Sequence, residues 1–241
     1  MKSIAMIPAR YGATRFPAKL VQLLGGKPVI QRTYENTRDT GLFDEVVVVT
    51  DHDEIADTIA QVGGKVIRSI GQHESGTDRI AEAAAGLDVD VILNVQGDEP
   101  FINQSALAAL LKTFTIYPET QVASLMQTID EEAKIQNPNI VKVVTDLSDN
   151  SLLFSRSPLP YPRDAASAVY HEHIGVYAFR KAALMQFTQW EMTPLEKAEK
   201  IECLRFLEHG IPLRMVSATV SGYKIDTPED LVRAEAYLAG G

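Results

Sequence analysis

The run FDEVVVVT, residues 43–50, constrains this 241-residue chain more than any other feature. A strand with one wet face alternates apolar and polar residues. Four consecutive valines, Val46–Val49, instead suit a strand covered on both faces, which is the usual state of a parallel sheet. Such a sheet needs helices on either side, and the flanking sequence supplies them. SIAMIP, residues 3–8, reads as a first buried strand that stops at Pro8. Residues 27–40 carry helical spacing with Pro28 in the first turn. Asp51 or Asp53 can cap the helix after the valine run, and Gly63-Gly64 end it. KVIRS, then SGTDRIAEAAAGL, then DVILNVQ repeat the strand–helix–strand order, and a helix over 103–115 opens at Asn103 or Ser105. This alternation predicts an α/β fold with a doubly wound, mostly parallel sheet.

The texture changes near residue 121. QVASLMQTI, NIVKVVTD, SLLFSRS and EHIGVYAFR read as alternating, antiparallel strands. Helical periodicity returns at 180–190, at 194–209 and in DTPEDLVRAEAYL, with Thr227 as cap and Pro228 at the first position. The organisation expected is one domain over 1–241, with a β-rich insertion around 121–180.

Hydrophobic residues at 45% and charged residues at 23% are ordinary for a globular chain. The single cysteine, Cys203, excludes an internal disulfide or a multi-cysteine metal cage. No apolar run approaches the ~20 residues of a membrane span, and MKSIAMIPAR has no long apolar leader, so a cytoplasmic setting without membrane contact is expected. The net charge is −9, yet residues 1–40 hold seven basic and two acidic side chains, a local +5. An acidic chain of this kind disfavours nucleic acid as a partner. Its basic opening can still receive a small polyanion.

Four constellations carry chemistry. PARYGATRFPAK, residues 8–19, follows the first strand at its carboxyl end, where open α/β sheets bind ligands. Gly12 and Ala13 permit close approach of backbone to phosphate, and Arg10, Arg15 and Lys19 supply charge. The competing reading is a solvated basic loop, since the segment matches neither common phosphate-loop pattern. NVQGDEPFI, residues 94–102, delivers Asp98 to the same sheet edge, as a magnesium ligand or as part of a plain turn. Asp226 precedes Thr-Pro; it either belongs to a helix start or is freed by Thr227 to join Asp98 in a two-carboxylate site. In HESGTDR, Ser75-Gly76-Thr77 precede a helix whose amides can bind a phosphate or base edge, or simply cap it. His173 and Tyr177 share a strand, and Cys203 reads as inert packing.

PARYGATRFPAK, VTDHDEIA, HESGTDRIAEA, NVQGDEPFI, FSRSPLPY, HIGVYAFR, PLEKAEKIECLRFLEHG and IDTPEDL occur in this order over essentially the whole chain. In this the sequence resembles the 3-deoxy-manno-octulosonate (Kdo) cytidylyltransferases of lipopolysaccharide synthesis. The resemblance implies the nucleotide-diphospho-sugar transferase type of α/β fold. It implies a magnesium-dependent reaction of CTP with an octulosonic acid sugar, giving the CMP-sugar and pyrophosphate, in a homodimer built through the β-rich insertion. Ala9, Arg10, Gly12, Arg15 and Lys19 would hold the triphosphate, and Ser75 and Gly76 the cytosine. Asp98 and Asp226 would hold the metal, with Lys19, Arg10, Arg15 and Asp98 as the catalytic set. Gln96, Arg156, His173, Tyr177 and Glu202 would line the sugar site. Two positions depart from the family pattern: Cys203 follows Glu202 where glutamine is common, and Lys224 stands where glycine is common. Both fall toward the sugar half, so the 8-amino-3,8-dideoxy analogue of Kdo is an alternative substrate. Activation of another sugar acid or cofactor precursor, and a non-catalytic nucleotide-binding regulator, are the competing function classes.

Overall fold

The computed structural model describes residues 1–12, 16–73, 75–220 and 224–240. Two compact units emerge, one from residues 1–108 with 220–241 and one from residues 109–219.

In the first unit β1 (Ser3–Ala9) is buried at every position. A 3-10 turn (Lys19–Val21) leads into a two-residue hairpin of β2 (Leu23–Leu24) and β3 (Lys27–Pro28), which the sequence does not announce. There follow α1 (Val29–Asp39), β4 (Glu45–Thr50), α2 (Asp53–Gln61), β5 (Lys65–Arg68), α3 (Gly76–Ala84), β6 (Val91–Asn94) and α4 (Gln104–Ile116), within which the boundary between the two units falls. The strands pair in parallel in the order β6-β1-β4-β5. Val47, Val48 and Val49 are fully buried, as the valine run requires. α1 buries Val29, Ile30, Thr33, Tyr34 and Thr37, a single stripe at helical spacing. Asn103 Oδ1 accepts from Ala106 N at 2.8 Å and opens α4 as expected. The start of α2 differs from expectation. His52 occupies the cap position without a side-chain hydrogen bond. Asp53 lies inside the first turn and pairs instead with Arg68 at 2.6 Å.

The second unit contains β7 (Val122–Ile129), α5 (Glu132–Gln136), β8 (Lys142–Thr145), β9 (Ser151–Ser155), β10 (Tyr170–Arg180), α6 (Lys181–Phe187), α7 (Pro194–Glu199), α8 (Leu204–Glu208) and β11 (Arg214–Ser217). β7 runs antiparallel to β10, and β8 is antiparallel to both β10 and β9. β11 lies parallel to β7, so this unit is mixed rather than purely antiparallel. Phe154, Phe179, Phe187 and Phe206 fill its core. The helix expected over 194–209 is broken. Lys200 takes a left-handed conformation (φ 55°, ψ 47°), ending α7. Arg156 holds that end: Nε donates to Glu199 O at 2.7 Å and a terminal nitrogen to Lys200 O at 3.3 Å. Side-chain capping of orphan carbonyls outweighs the periodicity there. The chain then re-enters the first unit as α9 (Pro228–Gly240).

Candidate active site

The site forms where β1 and β6 end. Val95 N donates to Met6 O at 3.0 Å, so the chain leaving β6 stays against β1. Gly97 makes this approach possible. A Cβ there would lie 3.1 Å from Pro8 O, 3.2 Å from Ile30 Cδ1 and 3.3 Å from Leu20 Cδ1. Thr33 Oγ1 donates to Gly97 O at 2.9 Å and Asn36 Nδ2 to Ile102 O at 2.6 Å, so α1 fixes the segment from both ends. Asp98 is thereby set at the sheet edge, buried among these neighbours.

The returning chain brings the second carboxylate. Ile225 N donates to Asp98 O at 2.9 Å, which places Asp226 one residue beyond a backbone contact with Asp98. Asp230 Oδ2 accepts from Asp226 N at 3.1 Å and Thr227 N at 2.9 Å, so Asp230 serves the helix start and the Asp226 carboxylate is released from it. Lys19 joins the pair: its Nζ contacts Asp98 Oδ2 and lies 2.9 Å from Asp226 Oδ1. Two carboxylates separated by 128 positions in sequence thus share one ammonium. Lys224 Nζ lies 4.0 Å from the same Asp98 oxygen. The other oxygen, Asp98 Oδ1, is buried and accepts no hydrogen bond from the described residues.

α3 forms the opposite wall. Ser75 Oγ accepts from Asp78 N at 3.1 Å and caps the helix. A Cβ on Gly76 would stand 3.0 Å from Pro8 Cγ, so this helix start abuts β1 directly. Asn94 Nδ2 donates to Thr77 Oγ1 and Gln96 Nε2 to Asn94 Oδ1, each at 3.2 Å, tying α3 to the end of β6. Buried Arg79 reaches Ser69 and pairs with Asp51 at 3.1 Å, tying α3 to the end of β4. His73 Nε2 is 2.5 Å from Glu82 Oε2, and Glu82 also accepts from Ile70 N and Gly71 N. Those backbone donations, Ile70 first, hold the Glu82 carboxyl below its usual range against the opposing pull of burial. Tyr11 stacks on His52 with ring centroids 3.8 Å apart, fixing the chain just beyond β1.

Ala9, Arg10, Lys19, Ser75, Gly76, Gln96, Asp98 and Asp226 line one cavity of about 280 Å³. All were singled out from the sequence. Gly12 lies just outside this lining, and Arg15 lies outside the described residues. His73 and Arg79 also line the cavity and escaped sequence reading. Both belong to the HESGTDR motif, which is the available signal, although the expected roles fall on Ser75, Gly76 and Thr77 within it.

The remaining expected residues belong to the second unit. His173 Nε2 contacts Ser124 Oγ at 2.9 Å, and its ring lies 5.4 Å from that of Tyr177. Burial, then the Cys203 and Glu202 charges, push the Tyr177 phenol well above its ordinary value. Burial first, then Glu202, raises the Cys203 thiol in the same way, which agrees with inert packing. Arg156 spends its guanidinium on backbone carbonyls: Glu199, Lys200 and, at 2.8 Å, Pro138. Glu202 lies in the link between α7 and α8.

The carboxylate pair fits magnesium. That ion is commonly held by one or two carboxylates, with water and substrate phosphates completing its shell. A buried carboxylate oxygen without a hydrogen-bond donor, beside a second carboxylate, is a donor set of this kind. Among the described residues no group of three or more histidine, cysteine or acidic side chains assembles elsewhere as a metal cage. No helix among them is long and apolar enough to cross a membrane.

Comparison with known proteins shows the family of the chain. The cytidylyltransferase family model matches residues 4–217. The 3-deoxy-manno-octulosonate cytidylyltransferase of Flavobacterium johnsoniae is 56% identical over 99% of each chain. The enzyme of the same description from Christiangramia forsetii is 54% identical over 98% of this chain and 96% of its own. A solved CMP:2-keto-3-deoxy-manno-octonic acid synthetase, in complex with CTP, is 38% identical, covers 100% of this chain and 99% of its own, and superposes with a TM-score of 0.96. These relatives carry the plain octulosonate description, and the 8-amino alternative draws no support from them. The chain belongs to the 3-deoxy-manno-octulosonate cytidylyltransferase family.

Proposed function

We propose that this chain activates Kdo with CTP, releasing pyrophosphate and giving CMP-Kdo for lipopolysaccharide biosynthesis. The observation that carries the reading is the junction of Lys19, Asp98 and Asp226 at the carboxyl edge of a parallel sheet, beside Arg10 and the start of α3. In the reaction the sugar's anomeric hydroxyl gives its proton to solvent as its oxygen bonds to the α-phosphorus and the bond to the pyrophosphate oxygen breaks. Such a displacement needs positioning and charge stabilisation more than covalent help from the protein. Asp98 and Asp226 would hold magnesium, which supplies Lewis-acid polarisation of the phosphate and neutralises developing charge.

The protein's own groups do the rest. Arg10 and Lys19 face the triphosphate, and Arg15 is assigned the same task. The amides of Ser75 and Gly76 at the start of α3 receive the cytosine end. Gln96 is assigned to the sugar, as are Arg156, His173, Tyr177 and Glu202. Arg156 must then leave the carbonyls that end α7 if its guanidinium is to meet the sugar carboxylate. The reading includes a cytoplasmic homodimer. Exposed Leu152 and Leu153 on β9 support an interface there.

The test is pyrophosphate release from CTP and Mg²⁺ with Kdo or its 8-amino analogue at equal low concentration. The reading expects release with Kdo at the higher rate. Release with neither sugar, or with nucleotides other than CTP equally well, would refute it.

A further inference from the structure

Four charged groups meet on one side of the cavity: Asp98 and Asp226, Lys19 between them, and Lys224 at 4.0 Å from Asp98. Together they sum to zero. A divalent cation entering alone would have to push the Lys19 ammonium off both carboxylates. It would then face two nearby ammonium groups in a recess where the Asp98 and Lys19 side chains are only 11% and 15% exposed. Like charges are costly at such range when water is scarce. A nucleoside triphosphate changes the balance, because its phosphates accept both ammonium groups as the carboxylates turn to the cation. Lys224 is the better placed to change partner. It is about half exposed, at 45% of its side chain, and stands two residues before Asp226.

Resting on the function proposed above, we infer that Lys19 and Lys224 are resident counter-ions of the Asp98–Asp226 pair, and that Lys224 sets how strongly metal and nucleotide binding are coupled. The two ligands enter together because each removes the other's obstacle. The coupling is reciprocal: the cation tightens the nucleotide by the same factor as the nucleotide tightens the cation. Lys224 is thus a positioning residue whose charge keeps the pair closed until a triphosphate arrives.

Binding without sugar isolates this step, since no turnover follows. Mn²⁺ is titrated into the full chain with and without CTP, and the free ion is read by electron paramagnetic resonance. CTP is titrated with and without Mn²⁺ by calorimetry. In the wild type CTP should tighten Mn²⁺ by about tenfold or more, within the usual range of couplings. Lys224→Met should tighten Mn²⁺ alone by about fivefold and reduce the coupling correspondingly, while Lys224→Arg retains wild-type behaviour. Lys224→Gln serves as a second neutral variant if circular dichroism shows that the methionine variant is misfolded. Unchanged Mn²⁺ affinity and coupling in the neutral variants, or an arginine variant that behaves like them, overturns the inference while leaving the proposed function standing. Failure of the wild type to bind CTP at all overturns both.

Discussion

Glu196→Ala removes one half of a buried ion pair in the second unit. Glu196 and Arg205 meet through two bonds of 2.7 Å each, and both side chains are 5% exposed. The guanidinium also lies over the Phe187 ring, 3.9 Å from its centroid. Once the carboxylate is gone, the acceptors left to Arg205 include Phe187 O at 3.4 Å and Trp190 O at 3.3 Å, both long. A buried charge deprived of its partner costs about 3–5 kcal/mol. At roughly 2–4 °C per kcal/mol for chains of this size, the melting temperature should fall by about 10 °C. The pair also joins α7 to α8 across the link that carries Glu202. Scanning calorimetry on Glu196→Met, Arg205→Met and the double variant Glu196→Met/Arg205→Met, alongside Glu196→Ala, tests this. The double variant should lose much less than the two single losses together, because no uncompensated charge remains. Single variants within about 2 °C of wild type, or strictly additive losses, would refute the reasoning.

Asp98→Ala and Lys19→Ala should each lower kcat by at least a hundredfold with the fold intact, since a preorganised electrostatic contact contributes ~3–4 kcal/mol to the barrier; near-normal turnover in either would remove that residue from the catalytic set. Gly97→Ala should destabilise by about 1–3 kcal/mol through overpacking against the Pro8 carbonyl, read as a lower urea midpoint, and an unchanged midpoint would contradict the packing argument. Cys203 should resist a disulfide reagent at pH 8 in the native protein and react on unfolding, because burial raises its thiol. The native state keeps a proton that the unfolded chain releases, so stability should fall as pH climbs past the unfolded thiol's ~8.5 toward the higher folded value. Rapid native labelling would contradict this.

Much of the first unit was legible because its signals are local. The valine run and the Thr227-Pro228 helix start each report on a few neighbouring residues, whereas β1 runs one residue past the expected stop at Pro8, with Ala9 still paired to Thr50. The meeting of Asp98 with Asp226 was only a conditional expectation. It depends on the Ile225 amide reaching Asp98 O, a contact that spacing does not encode. The break at Lys200 was hidden for the same reason: the periodicity of 194–209 is genuine, but Arg156, far back in the chain, takes the carbonyls that would have continued the helix. The cap of α2 falls on His52 between the two expected aspartates, and Asp53 pairs with Arg68 on the neighbouring strand. The residues assigned to the sugar rest on resemblance to a family alone, since histidine and tyrosine on a strand look like packing, and His173 and Tyr177 do pack.

Asp98 and Asp226 together are proposed to hold the metal that serves the triphosphate. Crystals grown with CTP and Mn²⁺, measured at an energy where manganese scatters anomalously, test it directly. The account predicts an anomalous peak within bonding distance of Asp98 Oδ1, an Asp226 oxygen and a phosphate oxygen of CTP, with the Lys19 ammonium moved onto the phosphates. A manganese peak bound to CTP alone, with Lys19 still bridging the two carboxylates, would contradict it.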